Sequence, residues 1–207
     1  MAETSESASR LQGAEEFECE HTELEDESVG DVSAREVIVK QGSVHDIYEA
    51  DVVTITQGGV NTIEAKTVTV NQGGVMQVNA DALDLKQGGI LRAEAERVEV
   101  TQGGIGLVQA ESVELNAGGA GAIVGTTIGV QAGGAQYMLA RESIRVEQGG
   151  AVLMAAPRIE VENGGAVLLI AREVHGNVRT MFDRRGALIF GLAAGIVMGL
   201  IARSKRR

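Results

Sequence analysis

Tryptophan is absent from this chain, proline and cysteine occur once each, and its 207 residues include only three Phe and two Tyr. So few large rings exclude a wide globular core, which needs bulky side chains to fill it. Cys19 has no partner in the chain, so no internal disulfide staples the fold, and a reducing compartment suits it. The three histidines, His21, His45 and His175, lie far apart and make no ligand spacing. No metal site, cofactor or catalytic residue is expected. Cys19 and His21 stand amid glutamates and read as a solvated acidic strand. At a formal net charge of −11, nucleic acid is not an expected partner.

Glycine is what the chain has in quantity, 28 residues of it, and most of it is periodic. Corner signals begin at Gln41-Gly42-Ser43 and continue as Gly-Gly pairs after Gln57, Gln72, Gln87, Gln102, Ala117, Ala132, Gln148 and Asn163. Their intervals are 16, 15, 15, 15, 15, 15, 16 and 15 residues. A short fixed period is one structural unit stacked on itself. Within QGGVNTIEAKTVTVN the apolar residues are Val60, Ile63, Ala65, Val68 and Val70, and the next coils repeat them. Steps of two are strand residues pointing alternately inward. Steps of three mark corners, where two successive residues face out.

The spacing therefore predicts an all-β fold, a parallel β-helix or β-solenoid, with triangular coils of about 15 residues over 32–178. Nine or ten coils stacked about 4.8 Å apart give a rod of roughly 45 Å. Val, Ile, Leu and Ala suffice to fill so narrow a coil. An α-helical reading fails, because paired glycines every 15 residues would break each helix. The two 16-residue intervals predict bulges near Tyr48-Glu49 and at Arg141-Ser143. The corner glutamines continue the inward parity of Val68 and Val70. Either their amides stack into a ladder or they help cap the Gly-Gly turn.

The flanks differ from the solenoid. Residues 1–31 hold eleven acidic residues and one basic one, Arg10, and read as a largely disordered acidic arm. Phe17 to His21 has the alternation of a strand and is expected to cap the first coil, hiding its edge. No secretory signal is apparent at the N-terminus. At the other end, a basic linker (179–186) leads into Ala187–Ala202, an uncharged apolar run, and a basic tail (203–207). As a helix the run covers about 24 Å, and flanking Arg185 and Arg203 can snorkel to close most of the gap to a bilayer core. A single transmembrane helix is expected. Gly191, Gly195 and Gly199 recur every four residues and form a stripe on which two such helices can pack. The striped helix and basic tail resemble the anchors of small C-tail-anchored bacterial inner-membrane proteins. That places the solenoid at the membrane, facing the cytoplasm.

Enzyme chemistry is not indicated. The Gly-Gly corners are not followed by the Lys-Ser/Thr of a phosphate loop, and they lack the aspartates of calcium-binding repeats. Glu99, Glu114 and Glu160 form a regular outward column that reads as a solvated face. Threonine pairs suited to an ice-binding face occur only as Thr54-x-Thr56 and Thr67-x-Thr69.

One outward column set changes character along the chain. It starts polar at Asn61, Thr62, Glu64, Gln77 and Asn79. By the last coils it reads Tyr137 and Leu139, then Val152, Leu153 and Ala155, then Val167, Leu168 and Ile170. A monomer should not leave a continuous apolar wall in water. Leu139, Val152, Leu153, Val167, Leu168 and Ile170 are therefore the candidate residues for self-association or membrane contact, the alternatives being that they face inward or are covered by the linker 179–186.

The cadence of EAKTVTV (64–70), EAERVEV (94–100) and QAESVEL (109–115) resembles the bactofilins, bacterial polymer-forming cytoskeletal proteins. The resemblance covers roughly 32–178. It implies a right-handed β-helix, nucleotide-free polymerisation and a scaffold role at the membrane. It carries over no functional residues. The paired-glycine corners and the C-terminal apolar run are additional to that pattern. The expected function is a membrane-anchored scaffold that self-associates through solenoid faces or ends. The alternative is a tethered binding module that recruits a soluble partner through its charged face or acidic arm.

Overall fold

The computed structural model describes residues 18–180, and they form one parallel β-solenoid of about ten coils. Its strand runs are β1 (Glu18–Ile55), β2 (Gly58–Val70), β3 (Gly73–Ala155), β4 (Arg158–Ile170) and β5 (Glu173–Thr180), paired in that order. Drawn out straight, the 83 residues of β3 would span about 270 Å. They wind instead, because each corner is tight enough to keep pairing with the coil below. The register is the sequence period itself: Val60 lies on Val75, Ile63 on Val78, Ala65 on Ala80, Val68 on Leu83 and Val70 on Leu85.

Those columns are the core. Val37, Val53, Ile63, Val68, Val98 and Ile144 are fully buried, and among the described residues no polar or charged side chain is. A coil offers five inward places and no more, so β-branched and small aliphatic residues fill it where a large ring would not fit.

The first glycine of each pair has a compulsory role. Gly58, Gly73 and Gly88 take φ of 151°, 157° and 136°, which side-chain-bearing residues avoid. A Cβ added to them would stand 2.2, 2.3 and 1.9 Å from the carbonyl oxygen of the equivalent glycine in the preceding coil. The second glycine is freer. At Gly59, Gly74, Gly89, Gly104 and Gly119 a Cβ would have its nearest neighbour at 3.7–3.9 Å. At Gly134 and Gly150 the space closes again, to 2.1 and 2.3 Å.

The first extra residue sits where the interval predicts it. The β1–β2 register shifts between Ile47 and Ala50, and Glu49 takes a φ of 55°, the only positive value at a non-glycine among the described residues. The second is absorbed inside β3. Gly149 stacks on Gly133, sixteen residues back, whereas Gly164 stacks on Gly149 at fifteen.

Strand structure begins at Glu18 and runs without a break into the coil at Val32. Leu24 and Val29, each fifteen residues before a buried valine (Val39 and Val44), pack against the core, and Lys40 pairs with Glu23. The acidic segment from 18 to 31 thus adds a coil to the solenoid. Residues 1–17 and 181–207 lie outside the described residues. That includes the apolar run 187–202 with Gly191, Gly195 and Gly199, and the tail 203–207. Among the described residues no helix is long and apolar enough to cross a membrane.

Candidate functional site

One lateral face collects the exposed apolar side chains. It is the outward side of the strand that follows each Gly-Gly corner, holding Asn61, Thr62 and Glu64 in β2. Register places Gln77 and Asn79 on Thr62 and Glu64, and near the far end Leu168 and Ile170 on Leu153 and Ala155. The well-exposed large hydrophobics of the described residues all belong to these columns, apart from Tyr48, Val52 and Val174.

All six expected self-association residues lie on this face and point outward. Leu139, Val152, Leu168 and Ile170 expose 40, 49, 50 and 58% of their surface, while Leu153 and Val167 are half-buried between them. Met76 and Leu91 also lie on this face, outside the six expected residues, and are more open still than Leu139. They occupy the place directly after an inward residue, Val75 and Ile90, on the rim of a shallow open groove of about 650 Å³ along the glycine corner. Their signal was available, since Asn61, Met76 and Leu91 recur at the 15-residue period.

Polarity along the face divides it in two. In the N-terminal coils it carries charges, of which Asp46, Arg92 and Glu94 have partners on the face itself. The Tyr48 hydroxyl donates to Asp46 Oδ2 at 3.0 Å and the Asn61 amide to Asp46 Oδ1 at 3.3 Å. Partial burial pushes the Asp46 carboxyl up, but hydrogen bonds from Thr62 and Tyr48 outweigh it and hold the group below its ordinary value. Arg92 and Glu94 pair at 2.6 Å. Beyond them come Leu107, Val124 and Tyr137, and from Val124 to Ile170 the columns carry no charge.

The remaining sides are polar and internally tied. Lys66 reaches back one coil to Asp51 at 2.6 Å, and hydrogen bonding and the ammonium charge together hold the Asp51 carboxyl below its usual range. Arg158 and Arg145 lie 3.6 and 3.9 Å from Glu173 and Glu162. In the glutamate column, Asn116 donates to Glu99 and Gln131 to Glu114, both at 3.2 Å. Exposed pairs of this kind contribute little to stability, but they leave a well-hydrated surface.

The corner glutamines form the ladder. Gln41 donates to Gln57, Gln57 to Gln72 and Gln72 to Gln87, each at 3.0 Å, and Gln87 donates to Gln102 at 3.1 Å. Their expected inward placement is wrong, however, for all five are exposed. Parity carries only along a straight strand, and the chain turns its corner immediately after Val70. An inward amide would also have met a wholly aliphatic core. Because water competes for exposed amides, Gln72→Ala should cost no more than about 1 kcal/mol. Thermal denaturation checks this, and a larger loss would mean that the ladder sets the coil spacing.

Among the described residues no three His, Cys, Asp or Glu side chains are grouped to hold a metal ion. The arrangement can do what an extended, flat, half-apolar surface does, which is to cover and be covered. No family model, no curated protein and no solved structure matches the chain.

Proposed function

We propose that this protein is a membrane-anchored structural scaffold that self-associates laterally through its solenoid. The observation that carries the proposal is the uncharged apolar face on the last coils, in a solenoid whose other described sides are mostly polar. A side-by-side contact is favoured because the apolar columns run along the rod and not across its end. The acidic coil at 18–31 supports the same choice, since seven carboxylates at that end oppose axial stacking. Thr180, the last described residue, lies in register with Ala166 beside the apolar face, and the apolar run 187–202 follows it closely in the sequence. A polymer-forming, bactofilin-like role at a bacterial inner membrane fits these features, with the solenoid on the cytoplasmic side.

Deleting residues 187–207 tests the anchor. The truncated chain is expected in the soluble fraction, because no other stretch of the sequence is long and apolar enough to span a bilayer. Persistence in carbonate-washed membranes would show that attachment runs through another surface. Electron microscopy of the full chain in lipid vesicles tests the scaffold. Rows or sheets of rods support it, whereas isolated short rods favour a tethered binding module.

A further inference from the structure

Resting on that reading, we infer that the apolar face mates with the same face of a second copy in parallel orientation, and that the contact holds only when both copies are anchored in one bilayer. Area is the first argument. The uncharged patch covers four coils, roughly 19 Å along the axis by 13 Å across, about 250 Å² per copy. A stable protein interface takes about 800 Å² from each partner. The face alone is too small to hold two free rods together. Two rods tethered in one membrane meet at a far higher effective concentration, which converts a weak contact into a populated one.

Orientation follows from the polarity of the face. A fully overlapped antiparallel pair would set Leu168 and Ile170 of one copy against Asp46, Thr62 and Glu64 of the other. Charges already satisfied in water would be buried without partners. An antiparallel pair overlapping only at the patch avoids that cost. It sends the two chains out of their solenoids in opposite directions, though, and both cannot then enter the same bilayer. In a parallel pair splayed apart at its charged N-terminal coils, the central column meets itself and the two flanking columns of the uncharged coils meet each other. Leu153 and Leu168 lie on that central column, and Thr180, the last described residue, then lies at the same end of both rods.

Cysteine cross-linking of the full chain distinguishes the arrangements. With Cys19→Ser as background, Leu168→Cys and Ala122→Cys are placed on the central column, 50% exposed and half-buried respectively. After reconstitution into phosphatidylcholine vesicles and flotation, mild oxidation should join Leu168→Cys chains to one another. A mixture of the two variants should give little of the hetero-pair. Adding Leu153→Glu should reduce the Leu168→Cys product at least tenfold while the β-type circular dichroism is retained. Dilution into detergent should also abolish it. A dominant hetero-pair, or floated protein with no 168–168 product, overturns the inference and leaves the anchor standing. Failure to float overturns the anchor, and this inference with it.

Discussion

Gly88→Val is expected to destabilise the solenoid by at least about 3 kcal/mol, whereas Gly89→Ala one residue later should be nearly neutral. At Gly88 two penalties coincide. Its φ of 136° lies outside what a β-branched residue tolerates, and a Cβ would sit 1.9 Å from the Gly73 carbonyl oxygen. That oxygen has little room to retreat, because Gly73 is held in register with Gly58 of the coil before it. At Gly89 a Cβ would find the Gly104 carbonyl oxygen at 3.7 Å, an ordinary contact. Removing backbone freedom from the unfolded chain could even stabilise that variant by a few tenths of a kcal/mol. The effect of Gly88→Val should spread, since each coil is held only by its neighbours and a central break uncouples both halves. Equal melting temperatures for the two variants would show that the corner is not locked by its first glycine.

Much of this architecture is legible in the sequence because a solenoid repeats its constraints. The columns Val60, Val75, Ile90 and Val68, Leu83, Val98 name the core without any knowledge of long-range contacts, since each residue's neighbour is simply fifteen positions away. The bulge at Tyr48-Glu49 is legible for the same reason. Legibility fails where a local rule is carried past its range. Alternation holds within a strand, so extending it around the corner from Val70 placed Gln72 inside. Composition misleads at 18–31. Leu24 and Val29 pack against the core there, so the segment joins the solenoid despite the carboxylates that crowd its sequence. The candidate site was half legible. Leu139 to Ile170 stood out as consecutive apolar residues, whereas Met76 and Leu91 are single apolar residues in polar coils and draw notice only when coils are aligned.

Val98→Asp should cost several kcal/mol at neutral pH, against almost nothing for Glu99→Lys beside it. Val98 is fully buried, and the residues one coil before and after it, Leu83 and Val113, are 2% exposed each. An inward carboxylate there would find no hydrogen-bond partner, because among the described residues no polar side chain is buried. Glu99 points outward and is exposed. Reversing its charge removes the acceptor for Asn116 and little else. The aspartate variant should also show a pH dependence of defined sign. Burial penalises the ionised form, so the folded state would hold its proton at a pH where the unfolded chain has released it. With more protons bound in the folded state, stability rises as pH falls. The difference between Val98→Asp and the parent chain should therefore shrink between pH 7 and pH 4. Chemical denaturation at the two pH values measures it. A gap that is constant with pH would mean that the carboxylate has escaped to solvent through a local distortion of the coil, and equal melting of Val98→Asp and Glu99→Lys would mean that the inward and outward assignment of this strand is reversed.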